Sequence, residues 1–142
     1  MDKIQKIILF DTNIFIKFLR GDISARQWME GVRSHQVIGG VSPLTDFELW
    51  SGLRNPGEER RHRIMVSQFR RLQFHTTIAR RAGELAQPYR QKHDKSIDVV
   101  DFLLAATAEY FRADILTANP KHFEPLPLKG VTIIPLGKDP SI

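Results

Sequence analysis

Ile7-Ile8-Leu9-Phe10-Asp11-Thr12-Asn13, followed at once by Ile14-Phe15-Ile16-Lys17-Phe18-Leu19, is the stretch on which the fold turns. The apolar run at 7–10 shows no polar alternation, as expected of a strand covered on both faces. It ends on a carboxylate, and a helical pattern starts directly behind it, so the strand delivers Asp11 to its own C-terminal end. Open α/β sheets bind ligands in the crevice outside the carboxyl ends of their strands, which is where this acid stands. By itself Asp11 fits a helix N-cap equally well.

Working outward, a helix over 12–19 stops at Arg20-Gly21-Asp22. A second, over 24–33, takes Ser24 as N-cap and Trp28, Met29 and Val32 as its apolar stripe. Val37-Ile38-Gly39-Gly40-Val41 reads as a strand whose small residues let another element pack closely. Ser42 and Pro43 open a helix that runs to about 53, and Asn55-Pro56-Gly57 breaks the chain. Further helices are expected over 58–72, with Ile64, Val66, Phe69 and Leu72 as its apolar side chains, and over 77–91, where Pro88 is a kink site. A short strand is expected at 74–77. The segment 98–112 is apolar on too many sides for a surface helix and should lie centrally. Strands at 114–117 and 131–135, with a helical turn at 119–123 between them, complete the pattern. Strands separated by helices predict an α/β fold in one domain over 1–142: a central parallel sheet of four to five strands flanked by helices on both faces.

The bulk numbers agree with a folded globular chain, at 142 residues with 42% hydrophobic and 26% charged. There is no cysteine, which removes disulfides, thiolate metal sites and a cysteine nucleophile, and suits a reducing cytosol. Apolar stretches too short to span a bilayer and an N-terminus without a signal-peptide pattern predict a cytoplasmic protein with no membrane partner. The net charge of +5 tilts the partner expectation toward polyanions. Arg54, Arg60, Arg61, Arg63, Arg70, Arg71, Arg80, Arg81, Arg90, Lys92 and Lys95 concentrate that charge, opposed by Glu58, Glu59, Glu84 and Asp94. They form either a basic face for phosphates or ordinary helix surfaces laced with salt bridges.

Two further acids sit in apolar surroundings. Glu48 borders the apolar face of its helix, where an edge-of-stripe surface glutamate is the plain alternative. Asp101 is flanked by Val100, Phe102, Leu104 and Ala105, where an unpaired carboxylate is costly unless it sits in the first turn behind an Asp98 cap. Separate explanations exist for each acid, but one divalent cation serves Asp11, Glu48 and Asp101 together, and carboxylates with water suit Mg2+ or Mn2+. Zinc is poorly supported without thiolates or an HExxH pair. His35, His62, His75, His93 and His122 are scattered and read as surface or packing residues. GxxxxGK[ST] and GxGxxG loops are both missing, and Asn13 stands where an aspartyl phosphatase carries its second Asp.

In order and spacing, Ile8-Leu9-Phe10-Asp11-Thr12-Asn13, Thr45-Asp46-Phe47-Glu48-Leu49-Trp50-Ser51-Gly52-Leu53, Asp101-Phe102-Leu103-Leu104-Ala105-Ala106-Thr107-Ala108 and Leu116-Thr117-Ala118-Asn119-Pro120-Lys121-His122-Phe123 resemble the PIN-domain ribonucleases, and within them the toxins of the VapBC type. The resemblance implies a PIN-like domain whose catalytic and metal-ligating residues are Asp11, Glu48 and Asp101. It implies Mg2+ or Mn2+ as cofactor and RNA as substrate, cleaved to 5′-phosphate and 3′-hydroxyl ends. A cognate VapB-type antitoxin and a homodimer are the expected partners. Thr12 and Thr117 are expected to orient carboxylates or waters. Asn119 departs from the pattern, because many relatives carry a fourth acid there, and Asp98 offers a charge one turn before Asp101. Two other readings stay open: a PIN-fold module that binds RNA or protein without cutting, and a PIN ribonuclease of RNA maturation without an antitoxin.

Overall fold

The computed structural model describes residues 5–140; the first four residues of the N-terminus read above for signal-peptide features lie outside it. β1 (Ile7–Phe10) leads into α1 (Thr12–Leu19) and α2 (Ile23–Arg33), β2 (Ile38–Val41) into α3 (Pro43–Ser51) and α4 (Pro56–Ser67), and β3 (Arg70–Arg71) into α5 (Thr76–Gln91) and α6 (Val99–Phe111). β4 (Asp114–Thr117), a 3-10 turn at Pro120–His122 and β5 (Ile133–Pro135) follow. The five strands pair in parallel in the order β3-β2-β1-β4-β5. This is the expected α/β architecture, with the apolar β1 in the middle of the sheet, bonded to β2 on one side and β4 on the other.

Alternation along the strands separates two cores. Leu9 and Ile115 face α5 and α6, where Ile78, Leu85, Phe102 and Leu104 are buried. Phe10 and Leu116 face the other side, where Ile14, Phe15, Trp28 and Phe69 pack. The Phe10 ring meets Phe69 edge-on at 4.9 Å and Trp28 at 6.2 Å between centroids. Helices therefore cover both faces, and α6 is central as its composition demands, with seven of its residues buried from Asp101 to Ala108. Among the described residues no helix is long and apolar enough to cross a membrane.

Three local expectations are corrected. The helix expected over 58–72 ends at Ser67, and Arg70–Arg71 forms the edge strand. Phe69 and Leu72 are both buried, but in opposite cores, Phe69 with Phe10 and Leu72 with Leu9. A helix would put positions three apart on one face; only extended chain sends them to opposite faces of a sheet. The strand expected at 74–77 is not formed: Phe74 belongs to no strand and Thr76 begins α5. The cap of α2 is Asp22, whose carboxylate accepts the Ala25 N–H at 2.9 Å, while the Ser24 hydroxyl is buried without a partner. Asp serves an N-terminus with charge as well as a hydrogen bond. Ser42 caps α3 as expected, accepting from Leu44 N at 3.1 Å.

Candidate active site

The chain passes from β1 to β2 on one side and places β4 on the other, so the sheet's direction of winding reverses at β1. The C-terminal ends of β1 and β4 flank the crevice where such folds hold ligands. Asp11 leaves the end of β1, its N–H bonded to Leu116 O at 2.9 Å, and Thr117 ends β4. α3 leaves β2 at the same edge and carries Glu48. α6 runs down to the start of β4, so its first turn, with Asp101, is at that edge too.

Asp11 occupies the N-cap position of α1 but makes no side-chain cap bond. Its Oδ2 instead accepts the Thr117 hydroxyl at 2.8 Å and Asn13 Nδ2 at 3.2 Å. The Thr117 Oγ1 in turn accepts the Asn119 N–H at 2.9 Å, and Asn13 Oδ1 accepts Ala118 N at 3.2 Å, so the β4 exit loop is fastened to the acid. Burial pushes the Asp11 carboxyl up to about 6; the Thr117 bond opposes that, and the charges of Asp101 and Glu48 add to it. Asp101 and Glu48 therefore both lie within electrostatic reach of Asp11.

Glu48 is half-buried and held by a hydroxyl relay. Thr12 Oγ1 lies 2.6 Å from Glu48 Oε1 and 2.9 Å from Thr45 Oγ1. Because Thr12 has one hydroxyl proton and the carboxylate can only accept, Thr45 donates to Thr12 and Thr12 to Glu48. Asp101 is 8% exposed, so the reading of it as a buried acid holds. Its Oδ2 lies 2.8 Å from His122 Nδ1. Burial raises its pKa, His122 counters this, and the Asp98 charge adds to the rise. Asp98 stands at the α6 N-cap position without a side-chain cap bond, and Asn119 is exposed.

The expectations for Thr12 and Thr117 are thus met by hydrogen bonds to Glu48 and Asp11. Thr45 and Asn13 join the site unmarked by the sequence pattern, and His122, expected as a surface or packing residue, is instead bonded to Asp101. The available signal for His122 was its place three residues beyond Asn119, in a helical turn returning toward α6. The basic segment divides. Arg54, Arg63, Arg71 and Arg81 pair with Glu58, Glu59, Asp46 and Glu109, as the salt-bridge reading has it. Arg70, Arg80, Arg90 and Lys95 are exposed.

A hard divalent cation fits this donor set in kind: carboxylate oxygens at Asp11 and Asp101 whose burial, first, and whose acidic neighbours, second, hold their proton affinity high. Among the described residues, however, no group of three or more His, Asp or Glu side chains is drawn together closely enough to hold a metal ion.

The profile of the PIN domain family matches residues 8–125. The chain is 34% identical over 117 residues to "Ribonuclease VapC10" of Mycobacterium tuberculosis, covering 82% of this chain and 86% of that protein. It is 36% identical over 119 residues to "Ribonuclease VapC19" of the same organism, covering 84% and 94%. A chain of a toxin-antitoxin complex from Klebsiella pneumoniae superposes with a TM-score of 0.70 at 30% identity, over 88% of this chain and 95% of that one. DNA-bound VapBC from Salmonella typhimurium gives 0.71 at 21% identity over 94% and 99%, a likeness of fold alone. With its motifs in register on the fold and the family profile spanning most of its length, the chain belongs to the PIN-domain family and is closely related to the VapC-type toxins of VapBC toxin-antitoxin systems.

Proposed function

We propose that the chain is a metal-dependent endoribonuclease and the toxin of a type II toxin-antitoxin pair, neutralised by a cognate VapB-type antitoxin. The observation that carries this reading is Asp11, a buried carboxylate at the topological switch point whose pKa is lifted to about 6 by burial and by two further acids. Asp11 and Asp101 would hold Mg2+ or Mn2+, with Glu48 beside them. When bound there, such an ion would supply water activation and charge neutralisation at the phosphoryl oxygens. Thr117 and Asn13 hold the Asp11 carboxylate in one orientation, and His122 does the same for Asp101. Thr12 occupies Glu48 Oε1, leaving Oε2 to take the proton of the attacking water. Exposed Arg and Lys side chains grip the RNA backbone without reading its sequence.

The antitoxin reading is supported by the complexes in which the similar folds were solved and by a second surface. A groove of about 360 Å3 lies between α1, α2 and α4, with Phe18, Leu19, Met29, Ile64 and Met65 along it and, at its sides, Arg26, Arg61 and an Arg33 that pairs with Glu30. It suits an amphipathic partner segment with acidic flanks. A homodimer is part of the same reading.

The test is cleavage of structured cellular RNA by the purified chain with Mg2+ or Mn2+, beside EDTA, Asp11→Ala and Asp101→Ala controls. Metal-dependent cutting lost in both variants is the expected result; cutting indifferent to either variant overturns the assignment. A second reading, a PIN-fold module that binds RNA or a protein without cutting, is favoured by exposed Asn119 in place of an acid. Wild-type cleavage that both variants abolish removes it. A neighbouring gene for a small DNA-binding protein distinguishes a toxin from a PIN ribonuclease of RNA maturation.

A further inference from the structure

Beside the candidate site, a cleft of about 880 Å3 opens between α5 and the start of α6. Its α5 wall is made of small side chains, and at Gly83 nothing lies within 4 Å of where a Cβ would stand. Half-buried Tyr89, backed by the buried Phe102 ring at 5.3 Å between centroids, forms an aromatic corner. Exposed Arg90 and Lys95 lie at the rim together with exposed Asp98, while Asp94 is turned into its own loop, accepting the Ser96 N–H at 2.9 Å. The cleft meets the acids through His122, which lines it and also holds Asp101.

The volume falls in the range of about 300–1,000 Å3 usual for small-ligand clefts, and apolar walls with a few polar groups suit a flat, partly polar ring. An RNA strand with one phosphate at the acids must place its neighbouring nucleotide in whatever concavity adjoins Asp101. Unpaired bases are held on aromatic surfaces, and cations at the rim match the next phosphate. We propose that this cleft is a nucleobase subsite, taking the unpaired base next to the scissile phosphate. The inference rests on the nuclease reading of the neighbouring acids.

Gly83→Leu fills the cleft from a helix position where Leu is the better helix former, and Lys95→Ala alters only an exposed rim charge. A fluorescein-labelled single-stranded oligoribonucleotide and its duplex are titrated in EDTA, where no cutting occurs. Gly83→Leu should weaken single-strand binding about tenfold, the loss of one enclosed base, with duplex binding unchanged. Lys95→Ala should weaken the single strand in the same direction. Unchanged single-strand affinity in either variant overturns the subsite, as does equal loss for single strand and duplex. A dimer that becomes monomeric in Gly83→Leu overturns it too, because the cleft then seats a second copy. Wild-type chain that binds through the cleft but cuts no RNA with Mg2+ or Mn2+ sinks the nuclease reading and with it the scissile phosphate, leaving only a base-binding cleft.

Discussion

Asp11 carries a charge that its surroundings resist. Its pKa rises from 3.8 toward about 6 on folding, so the folded state binds the proton more tightly than the unfolded chain does. Stability from this group is therefore greatest below pH 4 and falls as pH rises through 4 to 6. At pH 7 the ionised carboxylate costs about 3 kcal/mol. Asp11→Asn should accordingly stabilise the metal-free protein by up to that amount at pH 7.5 and by nothing below pH 4. Urea denaturation across pH reads this directly, and parallel wild-type and variant curves would contradict it. Asp101 adds to the same slope, since burial raises its pKa as well. A bound cation relieves the repulsion, so Mn2+ should raise the melting temperature of the wild type at pH 7.5. The same addition should move Asp11→Asn little; equal shifts in both would place the ion elsewhere.

At the scale of the element, β2 shows why its glycines matter. A Cβ on Gly39 would stand 2.6 Å from the Phe69 ring, which is wedged between Phe10 and Phe15 and has no room to retreat. Gly39→Ala should cost about 1–3 kcal/mol in overpacking, measured by chemical denaturation, whereas no loss would mean that the ring shifts freely. The close approach was legible in the sequence as two small residues inside a strand. Its partner was not, because Phe69 reads as part of a continuing helix until the sheet claims it. The two-residue strand that follows has no periodicity of its own to announce it. Its residues are exposed arginines, and it exists because β2 offers a free edge and because Phe69 and Leu72 must reach opposite cores.

For the whole molecule, the order β3-β2-β1-β4-β5 decides the chemistry by setting the ends of β1 and β4 side by side. Residues 106 positions apart, Thr117 and Asp11, become hydrogen-bond partners there. A C-terminal truncation before β4 should therefore abolish folding and activity together, since β4 is the central strand's neighbour; a soluble, metal-binding fragment ending near Arg112 would refute this. If the chain is a homodimer, sedimentation velocity at micromolar concentration will show about twice the mass of one chain, and a monomer at those concentrations excludes that part of the proposed function.

The sequence by itself determined the alternation of buried strands and helices, and hence a parallel sheet with an acid at the end of its first strand. That follows because apolar period and turn chemistry are local properties of the chain. It also marked Glu48 as an acid at the border of an apolar face and Asp101 as one in costly surroundings. Only the tertiary structure decided what those acids touch. Thr45 behind Thr12, Thr117 on Asp11 and His122 against Asp101 are contacts between elements, fixed by strand order and helix packing. No window of sequence contains them, since a hydroxyl or an imidazole looks the same on a surface as beside a buried carboxylate.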